Sequence, residues 1–248
     1  MEPQISVVII TLNEENYLPR LLEDLAGQTD KRFEVLIVDA NSTDRTKERA
    51  LEYQKRLQLH FIESPKGQVS YQRNLGAQKA KSDYYFFLDA DSQIEPQVIE
   101  KILMHINKDH KLLYLPTIKP SINTFSNRLL FAACVEAVKF LHLVKRPLSL
   151  GPLIVIHKSL FEKVKGYDEE VAIAEDHNIV IKSVKTGIKA TFLPDVPVIY
   201  SMRRFESRGK WKLMREYALY TSITLLKGGV YENKKNYVMG GQQYKDGK

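Results

Sequence analysis

The sequence contains very little cysteine and tryptophan: Cys134 and Trp211 are the only residues of their types among 248. A single cysteine excludes an internal disulfide and agrees with a reducing cytosol. The six histidines are scattered, and no spacing of cysteine and histidine indicates a zinc site. These absences exclude a disulfide scaffold and a zinc-finger protein.

Long apolar runs are also absent. The nearest candidate for a spanning helix, residues 129–144, is interrupted by Glu136 and Lys139. Acidic Glu2 precedes a strand-like run rather than a basic segment, so we expect no signal peptide and a cytoplasmic location. We find no internal repeat or interdomain linker, and a chain that is 44% hydrophobic can bury one full core.

Positive charge is concentrated in the second half of the chain. Residues 1–125 contain 16 Lys and Arg against 18 Asp and Glu, a net charge of −2, whereas residues 126–248 contain 21 against 12, a net charge of +9. A basic half can attract phosphates or an anionic membrane surface. Nucleic acid is the competing partner, but no recognised nucleic-acid-binding motif is present, so we expect none to bind.

Apolar runs alternate with segments of helical spacing through the first half. The runs predict strands at residues 5–10, 33–38, 59–63 and 84–88. The segments between them predict helices at residues 18–25, from the Asp39–Asp44 region to about residue 58, and at residues 70–81. Strands that alternate with helices indicate an α/β fold with a parallel sheet and right-handed crossovers.

Two carboxylates one residue apart, Asp89 and Asp91, follow the fourth predicted strand. On extended chain, positions two apart lie on the same side, so both carboxylates can face one divalent ion and the phosphates it carries. Ligands of open α/β sheets bind at the carboxyl ends of the strands, where this pair falls. The alternative is a plain turn, because Asp and Ser often bond their own backbone after strands.

Polar clusters at residues 11–15 and 39–44 follow the first two predicted strands and belong to the same rim of the sheet. Taken together, the motifs resemble family 2 glycosyltransferases of the GT-A fold, the nucleotide-diphospho-sugar transferases. The resemblance extends over about residues 5–200. It rests on these stretches: residues 6–15, 38–44, 73–77, 87–91, 165–169 and 174–176.

The resemblance implies a GT-A domain with a Rossmann-like, mostly parallel central sheet flanked by helices and with acceptor-side helices at its C-terminal end. Residues 1–228 would form this domain, with a nucleotide-sugar-binding half (1–125) and an acceptor half (126–228), and residues 229–248 would form a polar, mobile tail. The implied activity is transfer of a sugar, with inversion, from a nucleotide-diphospho-sugar to a glycan, small-molecule or lipid-linked acceptor. The implied cofactor is Mg²⁺ or Mn²⁺.

The resemblance also implies roles for individual residues. The base and ribose pocket would be lined by Thr11, Asn13 and Glu14, with Asp39 bonding the base and Arg73 near the pyrophosphate. Asp89 would contact the ribose or the metal ion, Asp91 would hold the metal ion, and Asp176 would be the general base. These roles suit the chemistry, because a departing diphosphate needs cationic stabilisation and an acceptor hydroxyl needs a base.

Each assignment has an alternative. Asp176 could complement a helix N-terminus, Asp39 could be a turn residue, and Arg73 could be a solvated surface residue. Arg203, Arg204 and Arg208 would either close over the diphosphate or form a solvated basic loop. The Gln-x-x-Arg-Trp element of processive family 2 glycosyltransferases is absent, which argues against polymer synthesis.

Two other functions remain open at this point. A sugar-nucleotide-binding protein without turnover could share the fold, and haloacid-dehalogenase phosphohydrolases also place D-x-D after a strand. The phosphohydrolase function requires Thr or Val two residues after the second Asp, where this chain has Gln93.

Residues 129–144 and 211–226 combine apolar and aromatic side chains with Lys and Arg. They predict peripheral attachment to an anionic membrane, with ordinary packed helices or a homodimer contact as the alternatives.

Overall fold

Alternation along the first strand divides the interior into two hydrophobic cores. The computed structural model describes residues 2–231. The first strand places Ile5, Val7 and Ile9 on one face and Val8 on the other, and all four side chains are fully buried. Burial on both faces is the pattern of a sheet covered by helices on each side.

Eight strands form one sheet within the described range. They are β1 (Ile5–Thr11), β2 (Phe33–Asp39), β3 (Leu59–Glu63), β4 (Tyr84–Asp89), β5 (Gln93–Ile94), β6 (Leu113–Pro120), β7 (Ile154–His157) and β8 (Thr191–Tyr200). The helices of this range are α1 (Leu18–Ala26), α2 (Thr46–Leu51), α3 (Val69–Lys79), α4 (Val98–Asp109), α5 (Phe125–Leu143), α6 (Lys158–Lys163), α7 (Glu175–Lys185), α8 (Arg203–Arg208) and α9 (Lys210–Lys227).

The strand order is β3-β2-β1-β4-β7-β6-β8-β5. The first four strands are parallel to one another, as predicted, and β6 also lies parallel to β8. β7 runs antiparallel to both β4 and β6, and β5 runs antiparallel to β8. The predicted α/β class is therefore confirmed, with the parallel pairs confined largely to the first half of the chain, and one sheet continues through both halves.

Helices cover the two faces by burying one stripe each. The leucines of α1 at positions 18, 21, 22 and 25 follow helical spacing and are completely buried against the first core, which α4 also covers. α3, α6 and α7 cover the opposite face. The carboxyl ends of β1, β2 and β4 form the rim at which the predicted polar clusters meet.

The second helix is shorter than its composition predicts. The sequence predicted a helix that reaches about residue 58, but α2 ends at Leu51 and a series of turns follows. Tyr53, Gln54 and Arg56 each donate a backbone hydrogen bond to the residue three positions earlier. The tighter path directs buried Leu57 into the core just before β3 begins.

Most of the predicted tail, residues 232–248, lies outside the described residues. Residues 229–231 lie within them, and Val230 is buried and forms an antiparallel bridge with Ile173. The start of the predicted tail therefore packs on the acceptor half.

Gly76 lets α3 approach the sheet closely. A Cβ atom at this position would lie 2.4 Å from Cγ1 of Val8 and 3.1 Å from Cγ2 of Val38. Both valines are completely buried in neighbouring strands, so they have little room to move. The position of Gly76 thus sets the distance between α3 and the sheet, and α3 also carries Arg73.

We predict that Gly76→Ala destabilises the protein by about 1–3 kcal/mol, because one added methyl group overpacks the contact with Val8. Urea unfolding followed by circular dichroism measures the change. Gln78→Ala, at an exposed position of the same helix, is the matched control and should leave stability nearly unchanged. Equal stability of the two variants would show that α3 can shift away from the sheet at no cost.

Candidate active site

The ends of β1 and β2 are joined by the side chains predicted to form the base pocket. Thr11 Oγ1 donates to Asp39 Oδ1 at 2.7 Å. Ser42 donates to the same carboxylate twice, from Oγ to Oδ1 at 2.5 Å and from its backbone N–H to Oδ2 at 2.8 Å. Asp39 therefore organises the loop after β2, and the turn role is real whether or not the carboxylate also contacts a base.

Asn13 has a backbone φ of 55°, the left-handed conformation that Asn tolerates better than most residues. Its Oδ1 accepts from the Thr43 N–H at 2.8 Å, and its own N–H donates to Ser42 Oγ at 2.7 Å. Its Nδ2 is buried and has no hydrogen-bond partner among the described residues. A buried donor without a partner costs free energy, so this atom is suited to a ligand acceptor.

Glu14 and Asp91 are brought together by Arg203, which lies at the start of α8. The guanidinium binds Glu14 in a bidentate pair at 2.7 and 2.8 Å, and its Nε lies 2.9 Å from Asp91 Oδ2. The same group lies over the ring of Tyr17, 4.5 Å from the centroid. One cation thus holds two rim carboxylates that the sequence predicted for different parts of the donor site.

The crowding of carboxylates changes their proton affinity. Burial raises the pKa of Glu14 above its ordinary value, Arg203 opposes the shift, and the charges of Asp91 and Asp89 add to it. Burial also raises the pKa of Asp89, Arg73 opposes that shift, and Asp91 reinforces it. A bound cation would stabilise the ionised form of these carboxyl groups, so the cluster is suited to bind positive charge.

Arg73 is almost completely buried and connects the end of β4 to the start of α7. Its side chain is 3% exposed; Nη1 donates to Glu175 Oε1 at 2.6 Å and Nη2 to Asp89 Oδ1 at 3.1 Å. Burial alone would lower the pKa of Arg73, but the charges of its partners outweigh burial and raise it. The surface alternative for Arg73 is therefore wrong, and its guanidinium pairs with carboxylates of the protein.

The neighbour of Arg73 extends this connection. Asn74 Oδ1 accepts from the Tyr167 N–H at 2.8 Å, and Asn74 Nδ2 donates to the Tyr167 carbonyl at 2.9 Å. The Tyr167 ring lies 5.3 Å below the Arg73 guanidinium. Gly166, which has a φ of 60°, provides the turn that brings Tyr167 into position. Motifs some 90 residues apart thus form one structural unit.

Asp176 lies in the first turn of α7, beside Glu175. Its Oδ2 accepts from Ser149 Oγ at 3.0 Å, and Ser149 Oγ is also 2.7 Å from His177 Nδ1. Ala174 begins the helix with a φ of 66°, an uncommon conformation for a residue with a Cβ atom. The strained entry places Glu175 toward Arg73 and Asp176 toward Ser149.

A cavity of about 350 Å³ adjoins Asp91 and Arg203. The loop after β1 and the residues that follow β4, β6 and β8 supply its other walls, which include Tyr17, Ser121 and Ser201. A cleft of about 510 Å³ lies elsewhere, at the outer edge of β3, and its lining contains no predicted site residue. The cavity at Asp91 is therefore the one relevant to the rim.

The residues at the rim fit a divalent cation as partial ligands. Asp89 and Asp91 offer the carboxylate oxygens that Mg²⁺ and Mn²⁺ prefer. Among residues 2–231, no group of three or more His, Cys, Asp or Glu side chains could hold a metal ion. A cation here would need further oxygens from the diphosphate and from water, and it would share Asp91 with Arg203 or displace it.

The sequence did not predict the parts that Glu175 and Ser149 play in this site. The role of Glu175 as the partner of Arg73 could have been suspected from its position beside Asp176. Ser149 had no signal, because a single serine in a loop is too common to be informative. For Arg203 the sequence offered closure over the diphosphate or a solvated basic loop, and its pairing with Glu14 and Asp91 was not foreseen.

Comparisons with known proteins identify the family that the chain resembles. Residues 6–164 match the model of the family described as Glycosyl transferase family 2. An uncharacterised glycosyltransferase of Haemophilus influenzae is 27% identical over 202 residues, which are 79% of this chain and 67% of the relative. The poly(ribitol-phosphate) beta-N-acetylglucosaminyltransferase TarS of Staphylococcus aureus is 26% identical over 80% of this chain. The chain spans only 35% of TarS.

Solved structures share the fold. A crystal structure of S. aureus TarS in complex with UDP-GlcNAc has a TM-score of 0.67 and 23% identity, and it covers 82% of this chain and 59% of TarS in that structure. The mannosyltransferase PcManGT of Pyrobaculum calidifontis, in complex with GDP-Man and Mn²⁺, has a TM-score of 0.69 and 18% identity over 90% of this chain and 64% of that protein. The GT-A fold predicted from the sequence is confirmed.

We predict that Arg73→Met lowers the free energy of unfolding by about 3–5 kcal/mol, because it leaves Asp89 and Glu175 without their buried cation. Urea unfolding measures the loss. Arg45→Met is the matched control: Arg45 pairs with Glu48 at 2.6 Å, but both side chains are more than half exposed, so stability should change little. Similar losses in both variants would contradict the structural role assigned to Arg73.

Proposed function

The chain belongs to glycosyl transferase family 2, and we propose that it transfers a hexosyl group, with inversion, from a nucleotide-diphospho-sugar to an acceptor hydroxyl. The observation that carries this proposal is that the carboxylates proposed for the donor side and for the base come from different elements. Asp89 ends β4 and Asp91 follows it, while Asp176 lies on α7. Arg73 connects the two elements by pairing with Asp89 and with Glu175.

A single displacement with inversion requires this separation. The base must approach the anomeric carbon from the face opposite the departing diphosphate, so the base and the groups that hold the diphosphate must come from different segments. Arg73 fixes both segments relative to each other through rigid, buried contacts. Preorganised positioning of this kind is a main source of catalytic rate.

On the donor side, the ends of β1 and β2 would bind the nucleoside. Thr11 and Asp39 shape the pocket, and Asn13 Nδ2 supplies a donor that has no partner among residues 2–231. Arg203 lies between Glu14 and Asp91, beside the expected position of the diphosphate. We propose that its guanidinium turns from these carboxylates to the diphosphate oxygens when the donor binds.

Asp89 and Asp91 would hold the divalent cation. When bound, such an ion neutralises negative charge on the diphosphate leaving group. The Mn²⁺ in the PcManGT complex, together with the paired carboxylates after β4, supports this role. The raised pKa of Asp89 means that cation binding should weaken as the pH falls toward the acidic range, because a protonated carboxyl group is a poor ligand.

On the acceptor side, Asp176 would accept the proton of the attacking hydroxyl. Ser149 holds Asp176 Oδ2 through a 3.0 Å hydrogen bond and also contacts His177. Held in this way, the carboxylate keeps a defined direction, which a general base requires. The related proteins do not identify the acceptor of this chain. We propose a hydroxyl of a glycan, a small molecule or a lipid-linked sugar.

The proposal is tested by a thermal-shift panel with UDP, GDP and dTDP sugars, each with and without Mn²⁺. A donor that binds the folded state raises the free energy of unfolding by mass action, by about 2.7 kcal/mol at a hundredfold excess over Kd, and the unfolding midpoint rises with it. At least one donor should raise the midpoint, and the same donor should support sugar transfer. Midpoint shifts without turnover under any acceptor condition would favour the sugar-nucleotide-binding alternative.

We predict that Asp91→Asn removes the part of the donor-induced midpoint rise that depends on Mn²⁺, because the cation loses a charged ligand. The thermal-shift assay with and without Mn²⁺ measures this part separately. Asp83→Asn is the matched control, since Asp83 is exposed just before β4 begins and should behave like the wild type. If the Mn²⁺-dependent rise persisted in Asp91→Asn, the cation site would have to lie elsewhere.

We predict that Asp176→Asn lowers kcat by about a hundredfold or more while donor affinity stays nearly unchanged, because the amide cannot take the hydroxyl proton. Steady-state kinetics and donor titration together measure the two effects. Glu170→Gln, an exposed change in the preceding loop, is the control.

The stereochemistry provides a companion result for the same variant pair. The wild type should form a β-linked product from an α-linked donor, as determined by NMR of the anomeric proton. Retention of configuration, or a loss of donor binding without a loss of kcat in Asp176→Asn, would contradict the role of Asp176 as the base.

A further inference from the structure

Large hydrophobic side chains are exposed near both ends of α5. Asn127, Phe131 and Val135 are the only residues of this helix that are buried. Phe125 (74% exposed) and Leu129 (61%) lie near its start, and Phe140 (60%) and Leu143 (81%) lie near its end. The exposed positions between them are mostly alanine and include Glu136. Single exposed hydrophobic residues are ordinary, but four large ones on one helix of 19 residues indicate an interaction surface.

The outward side of α9 continues this pattern. Leu213, Tyr220 and Thr224 are buried, whereas the other side exposes Trp211 (76%), Leu219 (46%) and Leu226 (83%). Trp211 is the only tryptophan of the chain, and tryptophan is enriched where protein meets the interface of a membrane.

Long side chains join the two helices near both ends. Lys210 Nζ at the start of α9 donates to Asn127 Oδ1 near the start of α5 at 3.1 Å. Beyond the other end of α5, Arg146 Nη1 donates to the Leu225 carbonyl at 3.2 Å. The exposed hydrophobic residues therefore lie on two connected helices, and we call them together the apolar face, defined by Phe125, Leu129, Phe140, Leu143, Trp211, Leu219 and Leu226.

The charges around the apolar face are almost all positive. The exposed basic residues of α5, of the turn after it and of α9 are Arg128, Lys145, Arg146, Lys212, Arg215 and Lys227. The exposed acidic residue among them, Glu136, is 2.7 Å from Lys139 Nζ. A second copy of this chain would bring basic residues against basic residues in a symmetric contact, whereas an anionic surface would complement them.

Both helices adjoin the segment that carries the proposed base. After α5 the chain returns at Leu148, whose carbonyl is 2.7 Å from His142 Nε2, and the next residue, Ser149, contacts Asp176. At the end of α9, the Gly228 carbonyl accepts from Asn178 Nδ2 on α7 at 2.7 Å. The two helices that carry the apolar face are thus both joined to the segment around Asp176.

We propose that the apolar face docks on an anionic lipid bilayer and that the acceptor hydroxyl is presented to Asp176 from that bilayer. The inference rests on the proposed function for the identity of the acceptor site, while the docking itself depends only on the apolar face and its basic rim. None of the helices within residues 2–231 has both the length and the apolar character of a membrane span. Apolar side chains enter the headgroup region and the basic residues pair with lipid phosphates.

Flotation of the full-length chain with lipid vesicles tests the docking. Vesicles of phosphatidylcholine alone are compared with vesicles that also contain phosphatidylglycerol, at roughly 0.1 M and 1 M salt, where the screening lengths are about 10 Å and 3 Å. The protein should float with the anionic vesicles at low salt, and less at high salt. Failure to float in all conditions would overturn the proposal.

Variants at exposed positions locate the contact. Leu129→Ser with Phe140→Ser should reduce flotation, and Met104→Ser, 64% exposed on α4, is the apolar control that should not. Lys145→Gln and Lys212→Gln should each weaken binding about fivefold, the equivalent of 1 kcal/mol for each basic residue near an anionic surface. Lys108→Gln on α4 is the charge control. Equal flotation of face and control variants would contradict the assignment.

Two further readouts separate this proposal from its competitors. If sedimentation shows a dimer that the Leu129→Ser and Phe140→Ser changes convert to a monomer, the apolar face is a contact between copies and the bilayer proposal is wrong. Donor-induced thermal shifts should remain normal in all face variants. Normal flotation together with no donor binding would reject the proposed function but leave the docking intact.

Discussion

The buried guanidinium of Arg73 is the interaction on which the rest of the site depends. It pairs with Asp89 after β4 and with Glu175 at the start of α7, and it lies on α3, whose distance from the sheet is set by Gly76. Buried charges are tolerated only when they are paired and hydrogen-bonded, so each partner needs the other two. One cation thereby fixes the donor rim relative to the segment of the proposed base.

Arg203 lies in a less constrained setting than Arg73, and we propose a different role for it. Arg73 is held on a helix packed against the sheet, whereas Arg203 belongs to α8, a helix of six residues none of which is buried. Its ion pairs with Glu14 and Asp91 neutralise an acidic rim in which burial raises the pKa values of Glu14 and Asp89. An anionic donor and its cation can replace these pairs without leaving a carboxylate unpaired. We therefore regard Arg73 as the fixed cation of the site and Arg203 as the exchangeable one.

Local patterns in the sequence predicted the parallel strands, most helices and the position of the polar clusters on one rim, because these depend on periodicity and on where strands end. The contacts that complete the site join residues too distant in sequence to be recognised: Arg73 and Glu175 are 102 positions apart, and Arg203 and Glu14 are 189 apart. The early end of α2 was missed because the packing of Leu57 overrides helix propensity. The exposure of the hydrophobic residues of α5 also could not be predicted, because periodicity shows which residues share a helix side but not whether another element packs on that side.

The central claim is that the nucleotide-sugar binds at the rim with its anomeric carbon between the carboxylates after β4 and Asp176. A crystal structure of the protein with a nonhydrolysable nucleotide-sugar and Mn²⁺ tests it most directly. The account predicts the diphosphate beside Asp91, Arg203 moved from Glu14 to the diphosphate, and Asp176 facing the anomeric carbon opposite the leaving group. A donor bound with Asp176 on the same side as the diphosphate, or remote from the sugar, would contradict it.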